Sequence, residues 1–235
     1  IDIIRSAVSV NSAICEKGLE KEYGLAIGPG LQRNCRDGLM TWDMVTNSMM
    51  VTAAGADARM AGAPYSVVAN SGSGNQGITA TMPTVALARW KGISEEKMLR
   101  AVTMSHLVAI RIKSKFGRLS ALCGATVAGT GSACAITYLL GGDYDAVCRA
   151  VPNMIGNVAG MLCDGAKADC ALKISSCVNA AFQAAFMALR GVRVQNTDGI
   201  VETDPEHTID NFAELGNKGS GPLDAAILHM MLNKK

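Results

Sequence analysis

Between residues 124 and 140 the chain carries Gly124, Ala125, Ala128, Gly129, Gly131, Ser132 and Ala133. Glycine costs a helix backbone entropy, so a helix this rich in small residues implies close approach of another backbone or of a ligand. The rest of the chain has the same character. Hydrophobic residues make up 49% and aromatics only 4%, so the core is built from Ala, Val, Leu, Ile and Met. That material suits closely packed helices better than a β-sandwich, which draws on aromatic and β-branched side chains. No βαβ alternation, internal repeat or low-complexity linker is visible. The sequence predicts a mainly α fold: a single multi-helix domain over residues 1–235, with glycine-rich loops.

Apolar spacing predicts a helix over 1–16, broken by the run from Tyr23 to Gly30, and a second over 38–54. Residues 55–77 read as loop. A helix over 78–90 must accommodate Pro83, as a kink or a first turn. Ser94 is a good N-cap for a helix to about 112, with Glu95 and Glu96 in its positive first turn and Lys113, Lys115 and Arg118 at its end. After the small-residue helix, Asp143 caps a short helix over 144–151 and Pro152 starts another. A long helix over 170–190 closes at Gly191. Residues 192–203 suggest a hairpin or loop, Asp204-Pro205 opens a helix, and a final helix covers 222–232.

The formal charge is +2 with both signs interspersed, and no basic stripe with interleaved aromatics marks a nucleic-acid surface. No uncharged apolar run reaches the ~18 residues that span a bilayer. Ile1 follows no n-region or cleavage site, so the expectation is the C-terminal part of a longer protein, partnered by its own upstream segment or by a second chain. Small-residue faces also permit a homo-oligomer. The eight cysteines follow no secreted framework and fit a reducing cytoplasm.

Two motifs could carry chemistry. In Asn70-Ser71-Gly72-Ser73-Gly74-Asn75-Gln76-Gly77, glycines let backbone N–H groups converge at a helix N-terminus, and Ser71, Ser73, Asn75 and Gln76 surround that point. A carboxylate suits it; a flexible polar turn is the plainer reading. The second is a cysteine set. Cys123 precedes the glycine-rich helix, and Cys163 and Cys170 flank Asp-Gly-Ala-Lys-Ala-Asp. Thiolates from separated segments are the usual ligands of iron–sulfur clusters, and three of them leave one iron open. Zinc is disfavoured, since there is no Cys-x-x-Cys pair and the histidines are scattered. Core packing is the alternative for these three and the main reading for Cys15, Cys35, Cys134, Cys148 and Cys177. Lys113 and Lys115 could bind an anion or serve as a base if desolvated, although charges matching the helix dipole are the leading reading of both. His106 lies on an apolar face; His207 and His229 read as surface residues.

The loop from Asn70 to Gly77, Ile78-Thr79-Ala80-Thr81-Met82-Pro83-Thr84 after it, Ser120-Ala121-Leu122-Cys123-Gly124-Ala125, and the stretch from Gly156 to Lys167 occur in this order across most of the chain. Together they resemble the L-cysteine desulfidase family, which is related to the α-chain of the iron–sulfur L-serine dehydratases. The resemblance implies a [4Fe–4S] cluster and a lyase that splits L-cysteine to pyruvate, ammonia and sulfide. It implies cluster ligands at Cys123 and Cys163. The third ligand would be a far-upstream cysteine, as in the desulfidases, or Cys170, as in the dehydratases, at a shorter spacing. L-Serine dehydratase and a non-catalytic amino-acid-binding domain are the alternatives. The substrate is expected to be a small amino acid, held by the Ser71–Gln76 loop, with Lys113 and Lys115 as candidate bases from position alone.

Overall fold

A computed structural model describes residues 1–116 and 122–234. Arg118 and the Ser120-Ala121 part of the third matching segment lie outside them. The described residues form nine α-helices and no strand: α1 (Asp2–Glu20), α2 (Ile27–Arg36), α3 (Met44–Met60), α4 (Gly74–Lys91), α5 (Glu95–Lys115), α6 (Gly124–Leu139), α7 (Tyr144–Val158), α8 (Cys170–Leu189) and α9 (Pro205–Leu232). The mainly α expectation holds.

The small-residue helix α6 lies at the centre, packed on α4, α5, α7 and α8. Its glycines are contact points. A Cβ on Gly131 would run into the Ser105 carbonyl of α5, and one on Gly129 would lie 2.6 Å from the Met154 methyl of α7. Gly55 of α3 likewise leaves room for the Cys15 sulfur of α1. Phe182, Phe212, Ile136, Met154, Ile155 and Ile174 are among the largest fully buried side chains.

Several sequence expectations need correction. The segment from Tyr23 to Gly30 does not simply break a helix, because α2 starts within it at Ile27. Ala26 before it is left-handed (φ 50°), and the capping carboxylate comes from outside: Asp57 Oδ2 on α3 accepts from the Gly28 N–H at 2.9 Å. The helix expected over 38–54 begins at Met44, where Asp43 accepts from the N–H groups of Val45 and Thr46, and it runs to Met60. The loop expected over 55–77 is thereby reduced to residues 61–73.

Three prolines lie within helices beyond the first turn, Pro83 as the expected 78–90 helix requires. Pro83 is buried inside α4, Pro152 is buried inside α7 and Pro222 sits inside α9, so the expected helix starts at 152 and 222 are continuations. At Pro83 the compensation is visible. The proline cannot donate to the carbonyl four residues back, and the Ser132 hydroxyl of α6 donates to that Thr79 oxygen at 2.7 Å. Residues 192–203 form no hairpin. Asn153 holds their start, donating to Val192 O and accepting from Val194 N. α8 is long and apolar enough to cross a membrane, but 56% of its apolar window is buried, as in a central core helix.

Candidate active site

The Asn70–Gln76 loop is a tight turn followed by a helix start. Asn70 and Ser73 exchange both backbone hydrogen bonds, and the two residues between them are left-handed: Ser71 at φ 48° and Gly72 at φ 82°. That is the geometry of a type I′ turn, which glycine adopts freely and serine adopts under strain. Ser73 then caps α4 by accepting from Gln76 N. Gly77 is needed by close approach, since a Cβ there would collide with the Val68 carbonyl.

The cysteines are assembled by a different device. Leu122 and Leu162 form an isolated antiparallel bridge, and Cys123 N donates to Met161 O at 2.9 Å. This sets Cys123, at the N-terminus of α6, beside the Met161–Cys163 segment. The 163–170 loop is tied by ion pairs: Asp164 takes both Lys167 and Lys173, and Lys173 also donates to Leu162 O at 3.1 Å. Those lysines hold the Asp164 carboxyl far below its ordinary range. Cys170 opens α8, where its sulfur accepts from Lys167 N at 3.5 Å.

These elements enclose one cavity of about 200 Å³. Its walls include Ser73, Asn75, Gln76, Cys123, Cys163 and Cys170. Two motifs separated by some fifty to a hundred residues thus converge. All eight cysteines are free thiols. Cys123 is buried, which pushes its thiol pKa up, while Cys163 and Cys170 are half-buried. Among the described residues, no group of three His, Cys, Asp or Glu side chains forms a ready-made single-ion cage. A roomier groove of about 980 Å³ lies between α1, α5 and α6, but it carries no cysteine, so volume does not locate the chemistry.

The remaining candidates are sorted by the fold. Ser71 faces a different cavity and donates to Asn70 Oδ1. Lys115 pairs with Glu206 and Asp210 of α9, which raises its pKa and keeps it charged. Lys113 has its pKa lowered by burial and lies close enough to Cys163 to feel its charge, with its ammonium 5.6 Å from the Phe116 ring centre. Neither lysine lines the cavity.

The sequence reading missed two participants. Arg59, near the end of α3, lines the cavity and donates to Asn75 Oδ1 at 3.1 Å. His106 is buried behind the loop as part of a polar relay. Gln76 Nε2 donates to Asn70 Oδ1 at 3.0 Å, and Asn70 Nδ2 meets His106 Nδ1 at 3.0 Å. On its other side, His106 Nε2 lies 2.9 Å from Thr81 Oγ1. That hydroxyl spends its proton on Gly77 O and accepts from Asn11, so Nε2 must be the protonated nitrogen and Nδ1 the acceptor. Burial lowers the His106 pKa, in keeping with a neutral ring. No sequence signal marked Arg59; the apolar face around His106 suggested a core residue, and buried it is.

Residues 1–229 match the family described as the serine dehydratase alpha chain. The relatives include proteins named only as UPF0597 protein. The one from Oleidesulfovibrio alaskensis is 48% identical over 235 residues, covering all of this chain and 55% of that protein. Those from Shewanella pealeana (48% over 234 residues, 54% of that protein) and Bacteroides fragilis (44% over 234, 55%) are similar in extent. The chain spans about half the length of these curated relatives. With the whole described site inside the matched region, the chain belongs to the serine dehydratase α-chain family.

Proposed function

We propose that this chain is the cluster-bearing part of an iron–sulfur-dependent lyase that splits L-cysteine to pyruvate, ammonia and sulfide. The observation that carries the reading is the meeting of Cys123, Cys163 and Cys170 with the Ser73–Gln76 loop around one cavity. The serine dehydratase α-chain family is generally iron–sulfur dependent, and the donor set fits such a group. Three free thiols line the cavity, two of them at helix N-termini, and Lys173 stands near enough to Cys123 to offset negative charge. Cys123, Cys163 and Cys170 would hold a [4Fe–4S] cluster, with Cys170 giving way to an upstream cysteine if the desulfidase pattern applies. When bound, the cluster would supply an open iron as Lewis acid toward the β-substituent.

The chain's own residues do the rest. The amino acid's carboxylate is received at the N-terminus of α4, the positive end of the helix, which Ser73, Asn75 and Gln76 surround. The Gln76 amide is fixed by Asn70 and, through it, by His106. Of the two candidate bases, neither of which lines the cavity, Lys113 is the one whose half-buried ammonium gives up its proton more readily than usual; Lys115 is committed to α9. Loss of that proton and of sulfide leaves aminoacrylate, which water converts to pyruvate and ammonia. Free thiols throughout favour a cytoplasmic setting.

The family description favours a second reading with hydroxide as leaving group, making the substrate L-serine. Anaerobic reconstitution of the natural polypeptide carrying this chain, with iron and sulfide, is the test. Thiolate-to-iron charge-transfer absorbance is expected, then turnover of L-cysteine above L-serine; the reverse preference selects the dehydratase. Cys163→Ala should abolish the absorbance, and an unchanged spectrum refutes the site. Cys170→Ala asks the same of the third ligand. Amino-acid binding without any cluster would leave a non-catalytic binding domain.

A further inference from the structure

We propose that Arg59 is the residue that grips the substrate's α-carboxylate, with Asn75 as the side chain that aims it. This rests on the lyase reading above for the identity of the ligand. The anion-binding character of the site stands on geometry alone.

Arg59 is half-buried near the end of α3 and lines the thiol cavity. Its guanidinium crowds Gly74, the first residue of α4. A Cβ on Gly74 would collide with Arg59 Nε and come within 2.9 Å of Cζ. A fixed cation is therefore pressed onto the N-terminus of an 18-residue helix, which is itself the positive end of the helix dipole. Like charge at that place is unfavourable, and an anion between the two reverses the sign.

The protein does not supply that anion from the described residues. Among the described residues no Asp or Glu lies within ion-pair distance of Arg59, whereas Arg5, Arg33, Arg89, Arg100 and Arg111 each pair with a glutamate; Arg36, Arg149, Arg190 and Arg193 also pair with none, but only Arg59 lines the thiol cavity. Arg59 Nη1 donates to Asn75 Oδ1 and touches Met60 Sδ; among the described residues, Nε and Nη2 have no hydrogen-bond acceptor. Asn75 is held in turn, its Nδ2 donating to Met60 Sδ at 3.1 Å. Asn75 is thus a positioning residue rather than a direct substrate contact. A guanidinium offering two parallel N–H groups is the natural partner of a carboxylate, and the adjoining α4 N–H groups complete the acceptor's needs. A carboxylate seated there turns the amino acid's β-carbon toward a cavity only about 200 Å³ in size, whose other wall is Cys123, Cys163 and Cys170.

The test uses the natural polypeptide, wild type and with Arg59→Gln, Arg59→Lys or Gly74→Ala. Labelled pyruvate is measured by equilibrium dialysis on cluster-free protein, and KM and kcat on the anaerobically reconstituted form. Losing a charged hydrogen-bond partner should weaken pyruvate binding and raise KM by on the order of tenfold to a hundredfold in Arg59→Gln. Cluster absorbance per protein should be unchanged. Arg59→Lys should fall between, keeping charge without the fork. Gly74→Ala should mimic Arg59→Gln while leaving the arginine in place, which guards against a mere folding defect. Unchanged KM and pyruvate binding in Arg59→Gln overturn the proposal. So does loss of cluster absorbance with pyruvate binding intact, which would make Arg59 a counter-charge for the cluster. A fall in stability with KM unchanged also overturns it, because it would mean an ion pair with another part of the polypeptide. If wild-type protein forms no cluster yet binds pyruvate through Arg59, the lyase reading fails and the carboxylate site stands.

Discussion

Asp57 offers a stability test whose sign is unusual for a carboxylate. Its side chain is sequestered at the N-terminus of α2, where Oδ2 accepts from Gly28 N and, among the described residues, Oδ1 has no hydrogen-bond partner. Burial outweighs the two N–H donors of Ile27 and Gly28 and pushes its pKa from 3.8 to about 6. The folded state thus holds this proton more tightly than the unfolded chain. Its contribution to stability is greatest at acid pH, declines as pH rises from 3.8 toward about 6, and is flat above that. At about 1.36 kcal/mol per unit, ionised Asp57 costs about 3 kcal/mol near neutral pH. Asp57→Asn removes the ionisation and keeps an acceptor for Gly28. The ionisation cost is already net of the N–H bonds to the carboxylate, but the new amide places an NH2 where Oδ1 stands without a partner, at about 1–3 kcal/mol, so the expected net gain near pH 7.5 is about 1 kcal/mol. At about pH 4 the gain should vanish or reverse. The assay is urea unfolding of both proteins at several pH values, read as the difference between them. His106, Glu206 and Asp210 have lowered pKa values and lose stability as pH falls, but they do so in both proteins and cancel. Parallel stability curves across this range would refute the account of Asp57.

Gly77→Ala should lower stability by about 1–3 kcal/mol, because the new methyl meets the Val68 carbonyl and lies 2.8 Å from Ala69 Cα, neither of which can rotate away. Gly30→Ala is its control: nothing lies within 4 Å, and urea unfolding should show a gain of about 0.5–1 kcal/mol from helix propensity. His106→Leu leaves Asn70 Nδ2 with only the backbone carbonyl of residue 106 and so loosens the Asn70 side chain that holds Gln76; a loss of about 1–3 kcal/mol is expected, with reduced turnover at unchanged cluster absorbance. Lys113→Met should depress kcat, while Lys115→Met should change stability by no more than about 1 kcal/mol and leave kcat alone. Equal kcat losses in the two lysine variants would remove the reason for preferring Lys113.

Local chemistry was legible in the sequence. Ser94, Asp143 and Asp204 cap the helices that they announce, and the small residues of 124–140 do mark a helix pressed against its neighbours. Each of these depends on atoms within a few positions along the chain. Pro152 misled because packing overrides even the roughly 3 kcal/mol that an interior proline costs a helix, and at Pro83 the orphaned Thr79 carbonyl finds Ser132, some fifty residues away. The α2 start was invisible for the same reason, its capping carboxylate being on α3.

At the site, the sequence by itself determined the inventory: a glycine-rich turn leading into a helix, and thiols beside small residues. Only the tertiary structure decided which of them meet. The Leu122–Leu162 bridge brings Cys123 to Cys163, α9 withdraws Lys115 from candidacy, and the turn at Ser71 aims that hydroxyl away from the thiols. Arg59 could not have been found by pattern. Its meaning lies in the helix end it rests on and in the absence of a nearby acid among the described residues, and both are facts of distance in space, which sequence spacing does not encode.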